Sequence, residues 1–180
     1  MLSIICICVG IVLFTAYNAI AVHLFGFPWS MSETYYLYEN KKQGLGWLFT
    51  IFMWALAFIM LPAWISISEN VGGWMSNFTF LAFLTCASML FIGAAPRYKA
   101  TFESSVHTWA AIICAVCALT WDFIVCWQIW AVTLLGMFVP AIVAIATKTW
   151  KTSRDFWLEM MAFGGTFATM LTQSIIIYLR

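Results

Sequence analysis

The chain has 180 residues, of which 64% are hydrophobic and only 8% are charged. Soluble domains carry about 25% charged residues, and a small soluble domain has too little interior to bury so much apolar surface. These values exclude an ordinary soluble domain and indicate a protein for which the bilayer is the solvent. The formal net charge of +1 provides no electrostatic basis for binding nucleic acid.

Hydropathy divides the chain into segments of the length that a transmembrane helix needs, about 20 mostly apolar residues. The first segment follows no Lys or Arg and precedes no small-residue cleavage site, so we interpret it as a mature span rather than a cleavable signal. We predict an all-α integral membrane bundle of about six transmembrane helices, forming one domain over 1–180. The predicted spans are 2–25, 45–67, 74–95, 106–121, 127–147 and 156–179.

The apolar stretch from Val106 to Thr147 is too long for one span and suits two. We place the turn between the fourth and fifth helices within 121–128, because Asp122 is the only acid or strong base in the stretch. A charged side chain is costly at membrane depth. We therefore expect Asp122 near the outer surface. If the turn lies elsewhere, Asp122 falls within the membrane and is then a functional candidate.

Small residues at helical spacing predict where helices pack closely, because lipid provides no hydrophobic drive for association. We expect two such stripes inside the bundle, with a dimer face as the functional alternative. They are Gly164, Ala168 and Thr172 on the last helix, and Ala111, Ala115 and Ala118 on the fourth. The six cysteines lie in or beside apolar runs, and we expect most to be reduced. The Cys114-x-x-Cys117 spacing has no second pair, which favours packing over a metal or redox role.

Basic residues concentrate in three of the predicted loops. Only Arg180 falls on the opposite side. The positive-inside rule therefore places the three odd-numbered loops in the cytoplasm and both termini outside. The loop residues are Lys41, Lys42, Arg97, Lys99, Lys148, Lys151 and Arg154.

Polar groups near the span ends are the candidates for chemistry, and they cluster at the predicted cytoplasmic interface. Glu33 and His107 are the candidate catalytic pair, since an acid–base site for a lipid head group needs such groups. Capping of helix N-termini is the structural alternative for the serines and acids. Two histidines without metal-ligand spacing lead us to expect no metal ion and no cofactor. The candidate lipid-binding or ligand-binding residues are His23, Ser30, Ser32, Tyr35, Tyr36, Asp155 and Glu159.

Four motifs in order resemble an uncharacterised family of small bacterial six-helix membrane proteins, distantly similar to the FRAG/DRAM group. They are Pro28-x-Ser30-x-Ser32-Glu33-Thr34, Gly46-Trp47-Leu48-Phe49, Gly93-x-x-Pro96 and His107-x-x-Ala110-Ala111, and the resemblance covers roughly 21–118. It implies a bacterial inner membrane protein. Because the FRAG/DRAM group is associated with membrane lipids and trafficking, it also points to Ser30, Ser32, Glu33 and His107. The family often has basic residues before its first helix, which this chain lacks in 1–10.

Three functions fit these observations. The first, which we favour, is a non-enzymatic protein that binds membrane lipid, or a membrane-protein partner or second copy, at the cytoplasmic interface. The second is a membrane-embedded lipid-modifying enzyme using Glu33 and His107. The third is a small transporter, for which the predicted midplane has few ionisable groups.

Overall fold

The computed structural model describes residues 1–94, 103–146 and 153–180. These residues form helices and no strands, which confirms the predicted all-α bundle. Arg97, Lys99, Lys148 and Lys151, on which the predicted orientation rests, lie outside the described residues. The helices are α1 (Leu2–Phe25), α2 (Thr34–Lys41), α3 (Trp47–Asn70), α4 (Thr79–Ala94), α5 (Glu103–Ala146) and α6 (Arg154–Leu179), with 3-10 helices at Met31–Glu33 and Gly73–Phe78.

The outer surface of the bundle is apolar along several long helices. Phe58 on α3 is 62% exposed and Val132 on α5 is 69% exposed. Side chains of this kind cover the outside of a protein where lipid surrounds it, since large apolar patches in contact with water are unfavourable. The chain is therefore embedded in a membrane. The segments long and apolar enough to cross it are Leu2–Phe25, Trp47–Asn70, Gly73–Ala94, Ser105–Val139 and Arg154–Leu179.

Helix α5 reverses direction at Cys126, whose backbone is not helical (φ −155°, ψ 76°). Before this residue, Asp122 contacts Thr166, and Val125, further along α5, contacts Gln173, further along α6. This part of α5 therefore runs parallel to α6. After it, the contacts run in the opposite sense, from Thr133 with Gly165 to Gly136 with Met161. The first arm, 103–125, and the second arm, 127–146, are about 34 Å and 30 Å long at about 1.5 Å per residue. Each is long enough to cross the hydrocarbon core.

Asp122 is not at the surface, and that expectation is wrong. Its side chain is 1% exposed and accepts a hydrogen bond from Thr166, near the middle of α6. The error concerns the extent of the first arm, which continues helically to residue 125 instead of ending before the acid. Asp122 is consequently buried inside the bundle, at the same depth as the middle of α6.

Helix α3 forms the centre of the core and is bonded directly to α4. The Thr50 hydroxyl and the Trp54 indole donate to the carbonyls of Gly93 and Leu90, at 2.7 Å and 3.0 Å. Polar side chains that bond across helices satisfy groups that lipid could not. At the other end of α3, Ser68 accepts a 2.8 Å hydrogen bond from the indole of Trp121. These bonds fix α4 and the first arm against α3.

The small-residue stripes do not both lie where the spacing predicts. Gly164 and Ala168 are exposed, and nothing approaches the position of a Gly164 Cβ within 4 Å, so this stripe faces outward. The neighbouring Gly165 makes the close contact instead, against the Thr133 side chain. All six cysteines are free, including the buried Cys114 and Cys117.

Candidate functional site

The segment between α1 and α2 folds back onto the start of α6. The carbonyl of Trp29 accepts a hydrogen bond from the Phe156 N–H at 2.8 Å, which satisfies one of the open donors in the first turn of α6. The Met31 N–H donates to Glu159 Oε2 at 2.6 Å, and Met31 is 4% exposed. This second bond joins the loop directly to the second turn of α6. The loop is therefore an integral part of the bundle.

Local hydrogen bonds give the loop its shape. The Ser30 hydroxyl accepts from the Glu33 N–H at 3.3 Å and so caps the 3-10 helix Met31–Glu33. The Thr34 hydroxyl donates to the Met31 carbonyl at 2.5 Å and is 2.6 Å from the Tyr17 hydroxyl of α1. These contacts direct the Met31 side chain into the bundle and bring Ser32 to the same side.

A cavity of about 120 Å³ lies between α3, α4, the first arm of α5 and α6, beneath this loop. Its wall is mainly apolar and is rich in methionine, an unbranched side chain that adapts to ligands of different shape. Ala115 on the first arm both lines the cavity and is exposed. The methionines that line it are Met31, Met53, Met60, Met89 and Met170.

The His and Glu residues of the cavity lie at its loop end, while Thr85 and Thr166 line it further along. Ser32, His107 and Glu159 line it there and come from the loop, the first arm and α6. At the opposite end it is lined by Trp64 and Met170. The arrangement resembles ligand sites in which a few polar groups orient a ligand and apolar walls bury it.

The length of the cavity can be estimated from its lining residues. Along the first arm they run from His107 to Leu119 and along α6 from Glu159 to Met170. At about 1.5 Å per residue these distances are roughly 18 Å and 16 Å. Half of a hydrocarbon core that is about 30 Å thick is roughly 15 Å. The cavity therefore has about the length of one lipid leaflet.

Three of the nine candidate residues meet in this cavity: Ser32, His107 and Glu159. Among the others, Ser30 is the cap of the 3-10 helix, and Asp155 pairs with Arg154 at 2.5 Å. His23 is exposed at the end of α1. Tyr35 and Tyr36 pack edge to face, with ring centroids 5.2 Å apart. These residues build the loop end of the bundle and are not among the lining residues.

Glu33 is also absent from the cavity wall. Its carboxylate accepts a hydrogen bond from the Trp29 N–H at 2.5 Å, within the loop itself. The adjacent residue Ser32 lines the cavity instead. Glu33 is therefore not among the residues that line the cavity with His107, whereas Glu159 is.

One polar contact at the cavity wall involves a residue that was expected elsewhere. Thr166 lines the cavity, and its hydroxyl donates to Asp122 Oδ2 at 2.7 Å. Asp122 thus stands directly behind the wall. The signal in the sequence was its isolation, since a lone acid in an apolar run is by default a functional candidate.

The described residues contain no group of three His, Cys, Asp or Glu side chains placed to hold a metal ion. Comparison with known proteins does not assign the chain to a family. No family model, curated protein or solved structure matches the chain. The chemistry of the cavity is accordingly inferred from its own residues.

Proposed function

We propose that this membrane protein binds the acyl chain of a lipid in the cavity, with the lipid head group at the loop end, and that it acts without catalysis. The observation that carries this proposal is a single cavity with an apolar wall, a polar end and the length of one leaflet. An apolar chain gains little by leaving lipid for protein, so shape and the polar end must provide the preference. Ser32 and His107 offer donors for phosphate or ester oxygens.

The charges around the loop end favour an anionic lipid. Lys41 and Lys42 are exposed at the end of α2, and the Lys41 ammonium lies 5.6 Å from the centroid of the Phe25 ring. Basic residues beside a membrane attract anionic head groups, at about 1 kcal/mol for each Lys or Arg near the surface. We propose that this end faces the cytoplasm, as the distribution of Lys and Arg in the sequence predicts.

The exposure of Ala115 gives a route for the lipid. A chain could enter sideways from the bilayer at this position without crossing water. Lateral entry keeps the apolar chain in an apolar environment throughout, which avoids the cost of exposing it to water. Residues on the exposed side of the first arm, such as Val116, would contact bulk lipid only.

A photoactivatable phosphatidylglycerol with a diazirine in one acyl chain tests the proposal. After illumination in bilayers, we expect crosslinks to the cavity residues Met53 and Met60 in the unmodified protein. Ala111→Phe, which fills the cavity, should reduce these crosslinks several-fold. The matched control Val116→Phe places the same aromatic side chain on the exposed side of the same arm and should leave them unchanged. Crosslinks confined to outward-facing residues would contradict the proposal.

A second candidate function is a lipid hydrolase, because Ser32, His107 and Glu159 line the same cavity. Serine, histidine and an acid are the groups of a nucleophilic triad. In this alternative, His107 takes the Ser32 proton as the hydroxyl attacks a lipid ester, and gives it to the departing alcohol as the acyl-serine ester forms. Water then hydrolyses that ester, which releases the fatty acid and restores the Ser32 hydroxyl. Release of fatty acid from phosphatidylglycerol by the purified protein, abolished in Ser32→Ala and retained in Asp155→Asn, would replace the first proposal with this one.

A further inference from the structure

The Asp122 carboxyl group is held by very few partners. Thr166 donates to Oδ2, while Oδ1 has no hydrogen-bond partner among the described residues. Thr169, which is 0% exposed, provides the other hydroxyl beside this carboxyl. A carboxylate normally accepts several hydrogen bonds, and a buried charge without a counterion is very costly. The surroundings that the fold provides suit a neutral carboxylic acid better than an ion.

The helices that pack around Asp122 bring no cation to it. In the described part of the chain the one ion pair is between Arg154 and Asp155, at the far end of α6. The second arm, 127–146, has no titratable residue. The titratable or charged groups on the packed elements are Glu69 on α3, Cys86 on α4, Arg154, Asp155, Glu159, Tyr178 and, just after its last residue, Arg180 on α6, and Glu103, His107, Cys114, Cys117 and Cys126 on α5.

The cavity gives Asp122 a connection to water. Thr166 lines the cavity and its hydroxyl donates to the carboxyl, so one residue separates the two. A cavity of about 120 Å³ has room for several waters, at roughly 10–15 Å³ for each. Water in an empty cavity would solvate a charged carboxylate through Thr166. An apolar chain in the same space would displace that water.

We propose that Asp122 is a proton-binding site behind the cavity, and that binding of an apolar chain is coupled to uptake of one proton by this carboxyl. The inference rests on the proposed lipid-binding function. When the chain displaces water, the carboxylate loses its solvation, and a proton from the medium forms an O–H bond at Asp122. The empty, hydrated protein releases the proton again. By linkage, the affinity for the chain rises as pH falls through the range in which the empty protein ionises.

Hexadecanol is a suitable probe, because it has a long apolar chain but neither a titrating group nor a carbonyl. In maltoside micelles, protons taken up on its addition are counted with a pH-indicator dye in weak buffer, between about pH 5 and pH 9. Infrared difference spectra show the C=O band of a protonated carboxylic acid. We expect uptake approaching one proton per bound chain, together with a carboxylic acid band that appears on binding.

Two variants assign the proton. Asp122→Asn should remove both the proton uptake and the carboxylic acid band, and leave an affinity that no longer depends on pH. Thr166→Val keeps the side-chain volume but removes the hydroxyl link, and should reduce the uptake. Asp155→Asn is the matched control for an acid outside the cavity, and should behave like the unmodified protein.

The outcomes separate this inference from the proposed function. If hexadecanol does not bind to the unmodified protein, the lipid-binding proposal and the coupling both fail. If it binds without proton uptake, or if the uptake persists in Asp122→Asn, only the coupling fails. Uptake that persists in Asp122→Asn and disappears in His107→Gln or Glu159→Gln would assign the proton to the loop end instead.

Discussion

The cavity has a carboxyl group near each end, and the two are held in different ways. Glu159 at the loop end accepts the Met31 N–H at 2.6 Å and so holds the loop against α6. Asp122 behind the far wall accepts from Thr166 and has one oxygen without a hydrogen-bond partner among the described residues. An acid bonded to the backbone of another segment stabilises the fold, whereas an acid with an open oxygen is available for a proton. The difference lies in the partners rather than in the residue type.

Replacing Glu159 with alanine tests the structural half of this comparison and should have the largest effect. The variant leaves the N–H of the buried Met31 without its acceptor. We expect the free energy of unfolding to fall by about 2 kcal/mol, since leaving a buried donor without a partner costs roughly 1–3 kcal/mol. Unfolding by SDS titration in mixed micelles measures the change. Hydrogen exchange at Met31 should become faster at the same time.

Asp155→Ala is the matched control, four residues away on α6. Its carboxylate pairs with the neighbouring Arg154, and both side chains are about a third exposed, at 29% and 31%. A surface ion pair and an acid in the first turn of a helix each contribute less than about 1 kcal/mol to the free energy of unfolding. Equal losses in Glu159→Ala and Asp155→Ala would show that the bond to Met31 does not hold the loop.

Loss of the hydrogen bond between Trp121 and Ser68 should lower the stability less than Glu159→Ala does. This bond bears on the comparison of the two acids because it fixes the arm that carries Asp122. The Trp121 indole donates to the Ser68 hydroxyl at 2.8 Å, and both side chains are buried. Trp121 also packs edge to face on Trp64, with ring centroids 5.5 Å apart. A double-mutant cycle with Trp121→Phe and Ser68→Ala should give a coupling energy of about 1 kcal/mol in SDS unfolding. Additive losses would mean that the arm is held by packing alone.

The hydropathy of the sequence was sufficient to predict the helical membrane bundle, because only long apolar helices satisfy their backbone groups in lipid. The polar end of the cavity was also accessible to sequence reasoning. Ser32, His107 and Glu159 are polar residues beside apolar spans, and such residues require an explanation. Glu33 has the same signal, yet its carboxylate turns back to the Trp29 N–H. Which of two adjacent polar residues faces a cavity depends on loop geometry, and residue spacing does not encode it.

The interior of the bundle was harder to predict at single-residue precision. Gly164 begins a regular small-residue stripe, but the adjacent Gly165 makes the contact with Thr133. Neighbouring residues on a helix point about 100° apart, so the choice between them depends on how the helix is rotated in the bundle. Asp122 was placed outside for a related reason. The cost of a buried acid predicts a surface position unless a specific partner, here the Thr166 hydroxyl, is known.

Asp122→Asn should have the smallest effect on stability, and it tests the other half of the comparison. The asparagine oxygen can still accept from Thr166, and the change removes a group that has one oxygen without a partner in the described structure. We expect the free energy of unfolding to change by less than about 1 kcal/mol, because no buried ion pair is broken. SDS titration measures it alongside Glu159→Ala, with the proton uptake followed in the same preparation. A small change in stability together with complete loss of proton uptake would separate the two acids by role. A loss as large as that of Glu159→Ala would instead make Asp122 a structural residue, held as firmly by Thr166 and Thr169 as Glu159 is by the loop.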